Sequence, residues 1–93
     1  GSVRGEPILR ISPLPARNDC TIEWNGPSAG PVQWELFALS GRLLARGEAP
    51  PESRRGFRLP LRESGGHPLP SGIYWIRVRE GSAQAIRRIA VIR

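Results

Sequence analysis

Short stretches in which apolar and polar residues alternate recur along this chain. The clearest one covers residues 72–80. Its even positions hold Tyr74, Ile76 and Val78, and its odd positions hold Trp75, Arg77 and Arg79. A period of two residues is typical of a β-strand with one face in the core and the other in water. The stretch that follows is too short for a crossover helix and a parallel strand, so we expect an antiparallel hairpin with the last strand.

The same pattern predicts seven strands in all. They cover residues 8–11, 20–24, 32–39, 42–46, 56–61, 72–80 and 83–92. Ten prolines and eleven glycines break the chain into short elements, and no window has sustained helical periodicity. These features predict an all-β domain, a seven-stranded antiparallel sandwich of two packed sheets. The core is expected to contain Cys20, Ile22, Trp24, Val32, Trp34, Leu36, Leu59, Tyr74, Ile76 and Val78.

Three local details follow from particular residues. Ser40-Gly41 predicts a tight two-residue hairpin turn between the third and fourth strands. Gly72 opens the central strand after a proline-containing turn, and a backbone conformation that favours glycine is expected there. In the last strand Ile86 and Ile89 fall on opposite faces unless a bulge lies at Arg87-Arg88, so the register stays open.

Ninety-three residues are enough for one domain with a small core. Gly1-Ser2 is typical of the remnant that a protease leaves after removal of a tag, and residues 3–7 have no pattern. We therefore expect residues 1–7 to be this remnant and the end of a linker, and residues 8–93 to be the domain. The single cysteine excludes an internal disulfide bond. No apolar run is long enough to cross a bilayer as a helix.

The chain carries a net charge of +6, and all fourteen of its basic residues are arginine. Arginines beside an aromatic residue such as Trp75 could bind nucleic acid or an anionic glycan. The arginines are spread over the whole chain, however, which favours a solvated outer face. Three tryptophans could form a sugar-stacking platform, but the alternation places Trp24 and Trp34 in the core.

Catalysis requires chemical groups that the sequence hardly supplies. His67 is the sole histidine and lies in a glycine-rich loop, where a solvated side chain is the usual outcome. Cys20 lies on the inward face of a strand, where a thiol packs as a small apolar group. A metal site would need further histidines, cysteines or a run of carboxylates. We expect no catalytic residue, no cofactor and no metal.

Four runs of residues carry a resemblance to a known family. They are residues 13–16 (PLPA), 20–22 (CTI), 36–44 (LFALSGRLL) and 69–78 (LPSGIYWIRV). In this order and close to the end of the chain, they resemble the type IX secretion system C-terminal sorting domain of Bacteroidetes-type secreted proteins, also called the Por secretion system C-terminal sorting domain. The resemblance extends from about Ile8 to Arg93. The family usually has Asn where this chain has Leu14, and often has lysines where it has Arg87 and Arg88.

The resemblance implies an Ig-like β-sandwich at the end of a secreted cargo protein. Such a domain passes through the periplasm, is recognised by the outer-membrane translocon and by shuttle proteins, and leaves its cargo secreted or on the cell surface. A sortase-type peptidase commonly cleaves it off, and residues 3–7 would be the segment open to cleavage here. Neither nucleic acid nor direct membrane insertion is implied. The residues expected to carry the signal are Pro13, Pro15, Ala16, Gly41, Gly72, Tyr74, Arg77, Arg79, Arg87 and Arg88.

The final hairpin is the part of the domain that we expect the export machinery to read. Its arginines should matter for recognition rather than for folding, because surface substitutions usually change stability little. Two alternatives remain open. One is an Ig-like accessory module of an extracellular enzyme or adhesin, which binds carbohydrate or separates domains. The other is a small module that binds an anion or nucleic acid.

Overall fold

The structure, a computed structural model, describes residues 8–26, 30–50 and 56–93. The expected linker at residues 1–7 lies outside the described residues, as do residues 27–29 and 51–55 of two expected loops. All seven expected strands are present. They are β1 (Ile8–Ser12), β2 (Asp19–Asn25), β3 (Val32–Ala38), β4 (Leu43–Ala49), β5 (Phe57–Pro60), β6 (Gly72–Glu80) and β7 (Ala83–Val91).

The strands form two antiparallel sheets. One has three strands in the order β1-β2-β5, and the other has four in the order β4-β3-β6-β7. The predicted fold class, a seven-stranded antiparallel Ig-like β-sandwich, is therefore confirmed. The expected hairpin of the last two strands is also present, with Gly72 opposite Val91 and Glu80 opposite Ala83. Within the described residues, no helix is long and apolar enough to span a membrane.

The core fills the space between the two sheets, as the alternation predicted. Nine of the ten expected core residues are buried, and Trp34 is half-buried and packs against them. Trp34 lies over Gly47 of the edge strand β4, where a Cβ atom would come within 2.6 Å of its ring. The ring therefore stays near the rim of the sandwich. The core also contains Leu9, Ala16, Leu44, Ala45, Ala49, Leu61, Leu69, Ile89 and Val91.

Backbone irregularities shape the hairpin of β3 and β4, and one of them differs from the prediction. The loop closed by Ala38 and Arg42 has three residues, 39–41, rather than the predicted two. The Ala38 N–H donates to Arg42 O at 2.8 Å, the Gly41 N–H donates to Ala38 O at 2.8 Å, and Gly41 has φ of 96°. This geometry is typical of a hairpin loop in which a left-handed residue follows a type I turn. A register shift also follows Leu36, and it brings both Leu44 and Ala45 into the core.

The register of β7 is continuous, and no bulge occurs at Arg87-Arg88. Ile89 therefore points into the core and is 2% exposed, while Ile86 points outward and is 45% exposed. β7 is an edge strand with one neighbour in its sheet. An outward side chain on it, such as Ile86, is therefore covered by a neighbouring strand on one side only.

Glu80 is a charged residue in the buried interior, at the end of β6. Its Oε1 accepts a hydrogen bond of 2.9 Å from the Trp24 indole N–H, and its Oε2 accepts one of 2.8 Å from the Gly30 N–H. A buried carboxylate is tolerated only where such donors replace water. Glu80 thus connects the two sheets and holds the chain that enters β3.

Candidate recognition surface

The residues of the first family-like run lie against the end of β7. Ala16 is fully buried and pairs with Val91 in a short parallel bridge. The Ala16 N–H donates to Ala90 O at 2.9 Å, and the Ile92 N–H donates to Ala16 O at 2.8 Å. The connection between β1 and β2 therefore closes part of the free edge of β7. The first run and the end of β7, which are far apart in the sequence, therefore meet in the fold.

Two prolines lie in this connection. The Ser12-Pro13 and Leu14-Pro15 peptide bonds are both cis. The side chains of both prolines and of Leu14 are exposed, and Leu14 is 55% exposed. Leu14 is a residue at which the sequence departs from the pattern of the family it resembles. The connection therefore offers an irregular surface beside the last strand, with Ala16 as its buried anchor.

Gly41 and Gly72 have different roles. Gly41 needs its positive φ for the β3–β4 turn. Gly72 does not have a positive φ, so the expectation of a glycine-specific conformation there is wrong. It is the first residue of β6 and pairs with Val91 in regular antiparallel geometry. A Cβ atom at this position would lie 3.7 Å from the Tyr74 ring, which is an ordinary contact.

Tyr74 and Arg93 hold the segment that leads into β6. The Tyr74 hydroxyl donates to Pro70 O at 2.7 Å, and burial is the main reason why the pKa of this phenol is raised. Arg93 donates from its backbone N–H to Ser71 Oγ at 2.8 Å and from its guanidinium to Leu69 O. It also donates to Asn18 Oδ1 at 3.1 Å. Tyr74 is thus mainly a structural residue, with its ring in the core.

The four arginines of the final hairpin that are expected to carry the signal do not share one face. The side chain of Arg88 is exposed on the outer face of the four-stranded sheet, opposite Trp75. Arg87 has the parity of Ile89 and faces the other side of the edge strand. Its guanidinium donates to Ile86 O at 3.0 Å. A charged side chain on the inward side of an edge strand is a common protection against unwanted strand pairing.

Arg77 is hydrogen-bonded to Glu35, which the sequence analysis did not single out, and Arg79 forms a longer ion pair with it. Arg77 Nε lies 2.6 Å from Glu35 Oε1, and Arg79 Nε lies 3.6 Å from the same oxygen. The hydrogen bond from Arg77 lowers the pKa of the Glu35 carboxyl, and the charges of Arg77, Arg79 and Arg46 lower it further. The same hydrogen bond raises the pKa of Arg77. Arg77 also lies over Phe37, 5.3 Å from the ring centroid. It therefore has a role within the fold as well as at the surface.

The alternative chemistries find little support in these positions. Cys20 is 1% exposed, and burial followed by the charge of Asp19 raises the pKa of its thiol to about 12. The side chain of His67 is exposed in the loop before β6. Trp24 is buried, Trp34 is half-buried on the inner face, and Trp75 is on the outer face. The three tryptophans therefore do not form one platform.

Some of these relationships had no signal that sequence reasoning could use. The Ala16–Val91 bridge depends on a non-local path of the chain, and neither residue type indicates it. The partnership of Glu35 with Arg77 could have been found, because both have outward parity on two adjacent strands once β3 and β6 are paired. Glu80 continues the inward face of Tyr74, Ile76 and Val78, and that parity was a signal for a buried carboxylate.

Comparisons with known proteins give a structural match. No family model matches the chain, and no curated protein sequence matches it. The solved structure of PorZ, an essential bacterial surface component of the type IX secretion system of Porphyromonas gingivalis, is similar with a TM-score of 0.68. The two are 26% identical over 91% of this chain and 11% of the PorZ chain.

A second similar structure is that of dimeric latent PorU from the same organism, with a TM-score of 0.67. It is 18% identical over 92% of this chain and 9% of the PorU chain. At this identity the similarity concerns the fold alone. The chain thus spans about a tenth of the length of both structures. It is similar in fold to both, and in part of its sequence to a surface component of the type IX secretion system.

Proposed function

We propose that this chain is a non-catalytic C-terminal secretion signal domain, which directs an attached cargo protein across the outer membrane through the type IX secretion system. The observation that carries the proposal is the similarity to PorZ, at 26% identity over 91% of this chain. The similar region is 11% of PorZ, which fits a small module attached to a larger protein.

The positions of the family-like runs support the same proposal. The first run lies at Ala16 and the fourth enters β6 at Gly72, and both lie beside Val91. A machinery that exports unrelated cargo proteins needs a shape that is common to all of them. An autonomous domain with fixed turns and a defined sheet edge supplies such a shape. Its partners would be the outer-membrane translocon and its shuttle proteins.

The absence of catalysis is part of the proposal. The buried thiol of Cys20 has its pKa raised to about 12, so it is a poor nucleophile at neutral pH. The domain would pass through the periplasm, and its cargo would then be secreted or held at the cell surface. Where a sortase-type peptidase removes the domain, cleavage would fall before residue 8. The new terminus of the exported cargo would identify the site.

A fusion experiment tests the proposal. Residues 3–93 are placed after a periplasmic reporter in a host that has the type IX system and in the same host without it. The reporter should leave the periplasm in the first host only. A matched fusion with residues 8–93 should be exported equally, because residues 3–7 have no pattern in the sequence.

Retention of a folded, protease-resistant fusion in the periplasm of the first host would contradict the proposal. It would favour the accessory module that binds carbohydrate or separates domains. Surface substitutions are better probes of the signal than removal of residues 89–93, since Ile89 and Val91 are buried and their loss would disturb the core.

A further inference from the structure

Large exposed apolar side chains gather on one surface of the domain. Leu43, Ile73 and Ile86 are 42%, 39% and 45% exposed. The strand register places them on the outer face of the four-stranded sheet, next to half-buried Phe37 and Trp75. We call this set of five residues the outer apolar patch. Leu39, in the adjacent β3–β4 turn, is 62% exposed.

The patch contains a shallow groove of about 390 Å³, lined by Phe37, Gly41, Trp75, Arg77 and Ile86. One side of the groove is the β3–β4 turn, where Gly41 has no side chain to fill it. The cross-strand pair of Phe37 and Trp75 forms its floor. The guanidinium of Arg77 lies over one face of the Phe37 ring. Contiguous apolar surface with a polar border is typical of an interaction site.

The opposite outer face of the sandwich is different. On the three-stranded sheet Ile8 is 46% exposed, but its outward neighbours are polar. Arg10 pairs with Glu23, and Thr21 pairs with Arg58. Among the described residues, several large exposed apolar side chains are therefore neighbours on the outer face of the four-stranded sheet, whereas Ile8 is surrounded by polar ones on the other sheet. Ile8 also provides a matched control, because it has the same exposure as Ile86 and also lies on an edge strand.

Arginines border the outer apolar patch. By the strand register, exposed Arg46 and Arg88 lie on the same face as the patch, and exposed Arg42 directly precedes Leu43. Glu35 is paired with Arg77 at 2.6 Å and Glu48 lies two residues after Arg46, so the positive charges remain in excess along this border. A partner that complements this border needs carboxylates on both sides of an apolar contact.

The size of the patch limits what can cover it. Four strands about 4.8 Å apart span about 14 Å, and the stretch from Ile73 to Arg77 is about 13 Å long. The resulting area of about 200 Å² is far below the roughly 800 Å² that each partner buries in a stable protein–protein interface. It suits a single helix, which is about 10 Å wide and can carry one apolar stripe.

We propose that the outer apolar patch docks a short amphipathic helix with acidic residues on both sides of its apolar stripe. This inference rests on the proposed function in one respect, since the helix would belong to a protein that handles the domain during export. The apolar stripe would cover Phe37, Trp75 and Ile86, and the acidic flanks would meet Arg88 and Arg46.

A binding measurement tests this surface without any export. The probe is a designed 18-residue helix with a leucine stripe flanked by glutamates, and its matched control carries lysines in their place. The glutamate helix is titrated into the ¹⁵N-labelled chain. Amide shifts should be confined to the outer apolar patch and its arginine border. The substitutions Ile86→Ser and Arg88→Glu should each weaken binding at least tenfold, and Ile8→Ser and Arg10→Glu should leave it unchanged.

Other occupants predict different results. Equal binding of the lysine helix, or equal weakening by Ile8→Ser and Ile86→Ser, would overturn the proposal. Shifts of the same amides with vesicles of anionic phospholipid but not with the glutamate helix would assign the patch to a lipid surface. Shifts of the same amides upon concentration of the free chain, again without a response to the helix, would assign it to a second copy. Either of these two results also overturns the proposal.

The export assay separates this inference from the proposed function. If the unaltered fusion is exported, Ile86→Ser and Arg88→Glu should reduce export at least fivefold, with Ile8→Ser and Arg10→Glu as controls. Full export of the first two variants would overturn the inference and leave the proposed function standing. If the unaltered fusion is not exported, the proposed function fails, and the titration alone decides whether the patch binds an acidic helix.

Discussion

Ala16 and Val91 are parallel backbone neighbours, although one belongs to the connection between β1 and β2 and the other to the last strand. Two hydrogen bonds, from the Ala16 N–H to Ala90 O and from the Ile92 N–H to Ala16 O, fix this contact. Because Ala16 is fully buried, the space for its side chain is closed. The contact attaches the proline-containing connection to the edge of the larger sheet.

Replacing Ala16 with leucine should therefore destabilise the domain. Overpacking a closed site typically costs about 1–3 kcal/mol. Chemical denaturation measures the free energy of unfolding directly. The substitution Leu14→Ala in the same connection is the control and should change it by less than about 0.5 kcal/mol, since Leu14 is 55% exposed. Equal effects of the two substitutions would show that the bridge to Val91 does not constrain Ala16.

Glu35 should make the stability of the domain depend on pH in the acid range. The hydrogen bond from Arg77 lowers the pKa of Glu35 in the folded state below its ordinary value of about 4.5. The resulting stabilisation is complete above that value and is lost as the pH falls through the folded-state pKa. The unaltered chain should lose more stability between about pH 5 and pH 3 than Glu35→Gln does.

The same measurement on Arg77→Gln gives a check on the cause. Without Arg77, the main hydrogen-bond donor to Glu35, the stability lost between about pH 5 and pH 3 should fall toward the loss in Glu35→Gln. An unaltered pH dependence in Arg77→Gln would contradict the assignment of the shift to Arg77.

Cys20 should react with thiol reagents only when the domain opens. The thiol is 1% exposed, and burial is the main reason why its pKa rises to about 12. The thiolate is the reactive form, so both access and ionisation are suppressed in the folded state. Labelling at pH 8 should be slow in the native protein and rapid in denaturant. Rapid labelling of the native protein would contradict the buried position.

Gly41 and Gly72 should differ in their tolerance of alanine. Gly41 has φ of 96°, a conformation that costs residues with a Cβ atom about 1–2 kcal/mol. Gly72 has no such conformation, and an added Cβ would lie 3.7 Å from the Tyr74 ring. Thermal unfolding should show a lower Tm for Gly41→Ala and a nearly unchanged Tm for Gly72→Ala. The reverse order would restore the interpretation of Gly72 as a conformational requirement.

Glu80→Gln should destabilise the domain although it keeps the size of the side chain. One oxygen of Glu80 accepts from Trp24 and the other from Gly30, whereas a glutamine amide would point a donor at one of these N–H groups. A buried donor without an acceptor costs about 1–3 kcal/mol. Urea denaturation, followed by tryptophan fluorescence, measures the change, and the exposed position Glu48→Gln is the control. Equal stability of the two variants would mean that Trp24 and Gly30 find other acceptors.

The alternation of apolar and polar residues determined most of the fold. It predicted seven strands, and it placed residues such as Ile22, Leu36 and Ile76 in the core, where the structure shows them fully buried. It succeeded because the period of two residues is a local property of an extended chain with one face in water. The same local logic placed Cys20 correctly, since a small apolar thiol packs like its neighbours.

Only the tertiary structure decided how separate segments meet. The bridge from Ala16 to Val91 and the hydrogen bond from Trp24 to Glu80 join residues far apart in sequence, and no local pattern encodes such pairings. The arginines show the same limit. The outward parity of Arg77 and Arg79 could be read from the chain, but the strand register decided that Arg77 meets Glu35, that Arg88 lies next to Trp75 and that Arg87 faces the other side. The physical reason is that parity fixes the face of each strand, whereas neighbours across a sheet depend on strand order and register.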